Sequence, residues 1–345
     1  MSGEPAMQKQ PILSIRNLEV SLKTAVGNLQ ATRGISYDIF PGETFAIVGE
    51  SGCGKSISSM AVMGLLPRIA TATAERCRFD GQEILSLPRR KLSKIRGNTL
   101  SMIFQDPMTS LNPVYTIGDQ LTEIFVRHGK GSRKQARDRA IFLLERVGIK
   151  NAGQRLNAFP HQLSGGLRQR VVIAMAMMNS PKLIIADEPT TALDVTVQMR
   201  TLALLAELQK EFGLAIILIT HDLGVVASLS DRVAVMYAGQ IVETAPTKQL
   251  FETPTHPYTQ GLIRCIPSYG EPEVDAELPT IPGMVPSLIG RHQGCTFRNR
   301  CIRAIDACGE SDVAMREFEQ GHAYRCLLEH DVLKTHWHDL DGGRA

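Results

Sequence analysis

Apolar residues fall along this chain in two alternating rhythms. Over about the first 265 residues, short β-branched runs alternate with helical stretches, the pattern of an α/β domain. PILSIRNLEVSL (Pro11–Leu22) predicts a strand, and ISYDIFPGETFAIVG (Ile35–Gly49) predicts two strands joined by a turn at Pro41-Gly42. Ser58–Leu66 predicts a buried helix, and Ser132–Val147 a helix with apolar positions at helical spacing. RVVIAMAMMN (Arg170–Asn179) reads as a second buried helix. KLIIAD (Lys182–Asp187) and AIILITH (Ala215–His221) carry the unbroken apolar run of parallel strands covered on both faces.

From Cys265 to Gly290 the rhythm fails. Pro267, Pro272, Pro279, Pro282 and Pro286 punctuate a weakly periodic stretch, which predicts a linker or extended arm over 266–290. A cysteine-rich region follows over 291–330, and the last residues, HWHDLDGGRA, are expected to fray.

Composition narrows the class. The formal charge of +3 is small beside 38 basic and 35 acidic residues, and no sustained Lys/Arg run is present, so nucleic acid is not an expected partner. Pro88-Arg89-Arg90-Lys91 reads as a solvated helix start. The N-terminus lacks the apolar core of a secretory signal, and LAIILI (Leu214–Ile219) falls far short of the ~20 residues that span a bilayer. The chain is therefore expected to dock on a membrane protein rather than cross the membrane. Seven cysteines without a signal sequence point to reduced thiols or metal ligands.

Three motifs carry the chemistry. GESGCGKS (Gly49, Glu50, Ser51, Gly52, Cys53, Gly54, Lys55, Ser56) lies between an apolar strand and a helix. Its glycines let backbone N–H groups wrap phosphates, and the helix N-terminus favours the anion. Lys55 would reach the β and γ phosphates of ATP, and the Ser56 hydroxyl would ligate Mg²⁺. LIIADEP places Asp187 at a buried strand end, beside Mg²⁺ through water, and Glu188 where it can polarise the attacking water. Gln105, in MIFQDPMTSLNP, is expected to touch Mg²⁺ or that water, and His221, in LITHD, to hydrogen-bond the γ-phosphate.

LSGGLRQR adds a second anion site: Ser164, Gly165 and Gly166 before a helix. One ATP does not need two γ-phosphate sites in one chain, so this one is expected to cover the ATP of a partner in a head-to-tail dimer. Cys53, near Lys55 and a helix N-terminus, is expected to have a lowered pKa and to be open to alkylation.

The order GESGCGKS, FQDP, LSGGLRQR, LIIADEP, TALD, ITHD resembles the nucleotide-binding subunits of ABC transporters over about the first 265 residues. The resemblance implies the P-loop NTPase cassette: a RecA-like core, an antiparallel β subdomain, and a helical signature subdomain over about 106–180. It also makes Glu188 the catalytic carboxylate, His221 the switch histidine, and Asp194 part of the loop that crosses to the partner. One position departs. The adenine-stacking aromatic of similar cassettes falls near Leu22, so base contact is expected from Leu22 or from the loop Thr24–Gln30.

FQDPMTSLNP, PHQLSGGLRQRV, ADEPTTALDVTVQ, THPYTQGL and IPGMVPSL resemble the dipeptide/oligopeptide/nickel branch of import ATPases. Partners implied are a second ATPase subunit, two permease subunits and an external solute-binding protein, with the chain peripheral on the cytoplasmic face of the inner membrane. Cys295, Cys301, Cys308 and Cys326 are separated by five, six and seventeen residues; by spacing alone they suit zinc or a four-iron cluster. Resemblance in GCTFRNRC implies a [4Fe–4S] cluster in a small C-terminal lobe. Cys77 and Cys265 read as buried thiols. The rival readings are a soluble ATPase of the same fold, a nucleotide-sensing subunit without turnover, and import of glutathione or nickel chelates by the same machinery.

Overall fold

The computed structural model describes residues 10–191, 193–266, 280–290 and 292–334, the side chains of 107 and 108 excepted. By internal contacts the chain divides into two compact units. One draws on the chain up to Ile15, on Tyr37–Thr44 and on Arg76–Ile219; the other on Arg16–Ser36, Phe45–Glu75 and the chain from Thr220 onward.

The first unit is built on three parallel strands, Leu100–Ile103, Leu183–Asp187 and Ala215–Ile219, paired in that order. The last two are buried at every position, as their unbroken apolar runs require. Helices Ile117–Arg127, Arg133–Arg146 and Gly165–Met177 pack on one another. The middle one starts sharply because Ser132 and Gln135 form a capping box: Ser132 Oγ accepts from Gln135 N at 3.3 Å, and Gln135 Oε1 accepts from Ser132 N at 2.8 Å. The basic string at Pro88 is the exposed start of the helix Arg89–Ile95, as its charge predicts.

In the second unit, Phe45–Val48 pairs in parallel with Arg232–Tyr237, which pairs antiparallel with Gln240–Pro246. The strand Leu13–Thr24 lies beside Gly27–Ile39 and pairs antiparallel with Ala70–Thr73, Leu22 facing Ala70. The loop expected over Thr24–Gln30 is shorter, because one strand runs to Thr24 and the next resumes at Gly27.

The cysteine-rich segment is not set apart from this core. Its strands His322–Tyr324 and Arg316–Glu319 continue the sheet beyond Gln240–Pro246, with Glu243 opposite Tyr324. Leu288 and Phe297 belong to the same buried cluster as Val48, Val235, Tyr237 and Tyr258. Glu243, fully buried, accepts hydrogen bonds from Thr255 N (2.7 Å) and His256 N (2.8 Å) and contacts His322 Nε2 at 2.8 Å. A buried carboxylate is tolerable only with such partners. The expected linker divides: 267–279, with Pro267, Pro272 and Pro279, lies outside the described residues, as does HWHDLDGGRA, while 280–290 runs as an extended arm. There Leu288 O accepts from Gln30 N, and Gly290 N donates to Asn28 O. Cys77 is buried as expected, but Cys265 is exposed, because it caps the exit of the helix Pro257–Arg264 rather than facing the core.

Candidate nucleotide site

The phosphate loop leaves the buried strand Thr44–Val48 and enters the helix Lys55–Met63. Gly49, Gly52 and Gly54 have φ of 151°, 78° and 105°, a region that L side chains rarely adopt. Close packing adds a second reason at two of them. A Cβ on Gly49 would lie 2.0 Å from Met236 O, and one on Gly54 2.2 Å from Ala31 O. Lys55 Nζ donates to Gly49 O at 2.7 Å and to Glu50 O at 3.0 Å, so the amine is held inside the loop, with Ser56 next in the helix.

Cys53 corrects an expectation. It is fully buried, and burial pushes its thiol up, outweighing the opposing pull of Lys55. Helix dipole and lysine lower a thiol's pKa only where the thiolate keeps some solvation.

In the other unit, Asp187 ends its strand 4% exposed. Glu188, half-buried, follows with φ 45°, a left-handed conformation that costs a non-glycine residue free energy and recurs at functional sites. Its carboxylate is gripped from two sides: Gln105 Nε2 and Thr191 Oγ1 each donate to Oε2 at 2.9 Å. Glu188 N donates to Ile219 O at 2.9 Å, tying the peptide to the next strand. The pairing of Leu100–Ile103 with Leu183–Asp187 thus brings Gln105 and Glu188 together across a gap of 83 residues. Thr191 opens the TALD motif, yet the motif assigns it no role; its place three residues after the carboxylate is the signal for one.

The signature stretch is open. Ser164 N-caps Gly165–Met177, its Oγ accepting from Leu167 N at 3.4 Å, and Ser164 and Gly165 are exposed. Asp194 caps Val195–Phe212 in the same way, accepting from Val197 N at 3.0 Å, and is exposed too. Gly166 lies where a Cβ would come within 2.8 Å of Val197 Cγ1. Gln169, buried in the signature helix, donates to Pro189 O, so that helix is fastened to the turn after Glu188. His221 follows buried Thr220 in the other unit and is exposed.

Cys295, Cys301, Cys308 and Cys326 line one narrow pocket with Phe297 and Leu328. Burial raises the thiols of Cys295 and Cys326 and pushes Cys301 up to about 11. Among the described residues, no three His, Cys, Asp or Glu side chains stand close enough to hold a metal ion. Among the described residues, too, no helix is long and apolar enough to cross a membrane.

Comparison with known proteins agrees with this geometry. The family model described as ABC transporter matches residues 32–191, and that described as oligopeptide/dipeptide transporter, C-terminal region, matches 242–308. The dipeptide transport ATP-binding protein DppD of Bacillus subtilis is 48% identical over 333 residues, covering 94% of this chain and 98% of that protein. The oligopeptide transport ATP-binding protein OppD of the same organism is 47% identical over 321 residues, 92% of this chain and 89% of its own. Among solved structures, a dimer of the ATP-binding cassette MJ0796 bound to ADP and Pi is similar at TM-score 0.61 and 28% identity, over 68% of this chain and 98% of its own. CbiO1 of Clostridium perfringens, part of an ABC transporter complex, has TM-score 0.60 and 30% identity, over 71% of this chain and 92% of its own. The chain has the ATP-binding cassette fold and belongs to the ATP-binding subunits of ABC transporters, in the oligopeptide/dipeptide branch.

Proposed function

We propose that the chain hydrolyses ATP to power uptake of di- or oligopeptides, as a peripheral subunit of an inner-membrane importer. The observation that carries the catalytic half is Glu188, a carboxylate on a left-handed residue, fixed by Gln105 and Thr191. The peptide cargo is supported by near full-length similarity to transport subunits named for dipeptides and oligopeptides.

In this reading ATP binds with its phosphates in the loop Gly49–Ser56, and Lys55 exchanges the carbonyls of Gly49 and Glu50 for phosphate oxygens. Ser56, Asp187 and Gln105 would hold Mg²⁺, which would draw charge off the phosphates. Glu188 accepts a proton from the attacking water, with Gln105 setting the direction of its carboxylate. His221 hydrogen-bonds the γ-phosphate. Ser164, Gly165, Gly166 and the loop at Asp194 serve the ATP of a second ATPase subunit, head to tail; their exposure and the dimeric state of the MJ0796 cassette support this. Exposed Val114 and Tyr115, after Gln105 and beside a cleft lined by Asp119, Glu123 and Arg127, suit contact with permease subunits. An external solute-binding protein completes the assembly.

The chain is thus divided as an ATP cassette through about residue 265, a proline-rich arm to 290, and a cysteine-rich segment over 291–330. Four thiols line one apolar pocket of that segment, the soft donor type that zinc and iron–sulfur clusters take, although the sulfurs do not converge in this arrangement. A [4Fe–4S] cluster held by Cys295, Cys301, Cys308 and Cys326 would pin the segment; zinc is the alternative. Iron and sulfide analysis with a visible absorption spectrum separates them.

Glu188→Gln tests the reaction. Turnover is expected to fall by at least about 100-fold while ATP binding survives, because the amide keeps the shape and loses the base. Retained turnover would remove Glu188 from the chemistry.

A further inference from the structure

A carboxylate in a loop that wraps phosphates is an electrostatic liability, and Glu50 is one. The structure shows what it faces. Arg300 Nη1 donates to both Glu50 oxygens, at 3.0 and 2.9 Å, with side chains only 6% and 28% exposed. The guanidinium is fixed from behind: Nε donates to Pro282 O at 2.9 Å and Nη2 to Ile281 O at 3.1 Å. It lies 5.7 Å from the Tyr237 ring centroid and 5.9 Å from that of Phe297. The backbone of Glu50 is held as well, its N–H donating to Tyr258 Oη at 3.0 Å. Both ends of Glu50 are therefore held by residues more than 200 positions later, one of them between two cysteines of the narrow pocket.

We propose that Arg300 is a positioning residue for nucleotide binding: it neutralises Glu50 and turns it out of the loop, so that the extended arm and the cysteine-rich segment set the affinity for ATP. The proposal rests on the reading that Gly49–Ser56 takes the phosphates of ATP. Without Arg300, a half-buried carboxylate is left unpaired in the loop, where it repels the incoming anion and competes for Lys55. The loop backbone itself stays intact. The defect is one of charge, and removing the charge cures it.

MgATP and MgADP titrations of the full chain test this. Arg300→Gln is expected to weaken MgATP about tenfold and MgADP less, and the loss shrinks at high salt, since screening acts on the unpaired charge. Turnover at saturating ATP stays near that of the parent, so KM rises without a matching fall in kcat. Glu50→Gln added to Arg300→Gln restores affinity to within about threefold of the parent. Arg300→Lys, which keeps the charge and loses the fork, falls between. Should Arg300→Gln fail to fold, the same comparison is made with Arg300→Lys and its Glu50→Gln double variant. Parent-like MgATP affinity without Arg300, or a double variant as weak as the single one, overturns the proposal. Lys55→Ala run alongside keeps the two readings apart. Unchanged ATP binding there removes the loop assignment, whereas its loss beside an unaffected Arg300→Gln removes only Arg300.

Discussion

Two glycine-bearing helix starts in this molecule look alike in sequence and differ in what their glycines answer to. In the phosphate loop, Gly49 and Gly54 are demanded by the chain itself: positive φ, and carbonyls of Met236 and Ala31 where a Cβ would go. At Gly165 nothing of the kind holds. Its φ is not positive, and a Cβ would meet only Leu193 Cδ2, at an ordinary 3.8 Å. Smallness without an internal reason is what the proposed contact with a second ATPase subunit asks of this helix start. On that reading the phosphate loop is complete within the chain and the signature stretch is not.

Four substitutions, a pH scan and a thiol-labelling experiment can break or sharpen that contrast. The largest effect is expected from Gly165→Asp, which the local space accommodates. The chain should fold and bind ATP as before, while turnover falls about 100-fold, because on the proposed reading a carboxylate would then face the γ-phosphate held by a second subunit. Folded protein with full turnover would make the signature stretch a mere helix cap.

Acid should loosen the phosphate-loop unit next. His256 is fully buried, and burial, partly opposed by Glu243, holds its pKa at about 4 against an ordinary 6.5. Its ring Nδ1 accepts from Tyr258 N at 3.1 Å, a role only the neutral form fills. Since the unfolded chain binds this proton more readily, stability is full above about pH 6.5 and is lost as pH falls toward 4. Thermal melts across that range should show Tm falling, with a shallower slope in His256→Gln.

Packing around the loop also sets thiol access. Limited alkylation mapped by mass spectrometry should label exposed Cys265 before buried Cys53, and Cys53→Ser should leave the rate at Cys265 unchanged. Early labelling of Cys53 would mean that the loop opens readily. The smallest effect belongs to Leu22→Tyr, expected to tighten ATP about two- to fivefold by adding a stacking surface; a weaker Kd would place the base elsewhere.

Much of this was legible because the informative residues are near neighbours in sequence. Unbroken apolar runs mark the parallel strands, glycine spacing marks the loop, and Asp187-Glu188 stands where an apolar strand run stops at two carboxylates. What escaped depends on long-range packing. Arg300 sits in a cysteine-rich stretch that gives no hint of Glu50, 250 positions earlier. The local chemistry around Cys53 pointed to an acidic thiol, and only its burial, a property of the whole unit, reverses the sign. The cysteine-rich segment read as a separate lobe because prolines precede it, yet a fully buried carboxylate binds it to the core.

That last contact has a consequence for how the protein is made. The sheet that begins at Phe45–Val48 is finished by His322–Tyr324, about 270 residues later, a separation at which loop closure is slow. Until the ribosome has released that strand, Gln240–Pro246 presents a bare edge, and Glu243 lacks its histidine. A nascent chain halted before that point would hold every ATP motif and still be an aggregation hazard, because the strand that covers this edge is made long after the ATP motifs.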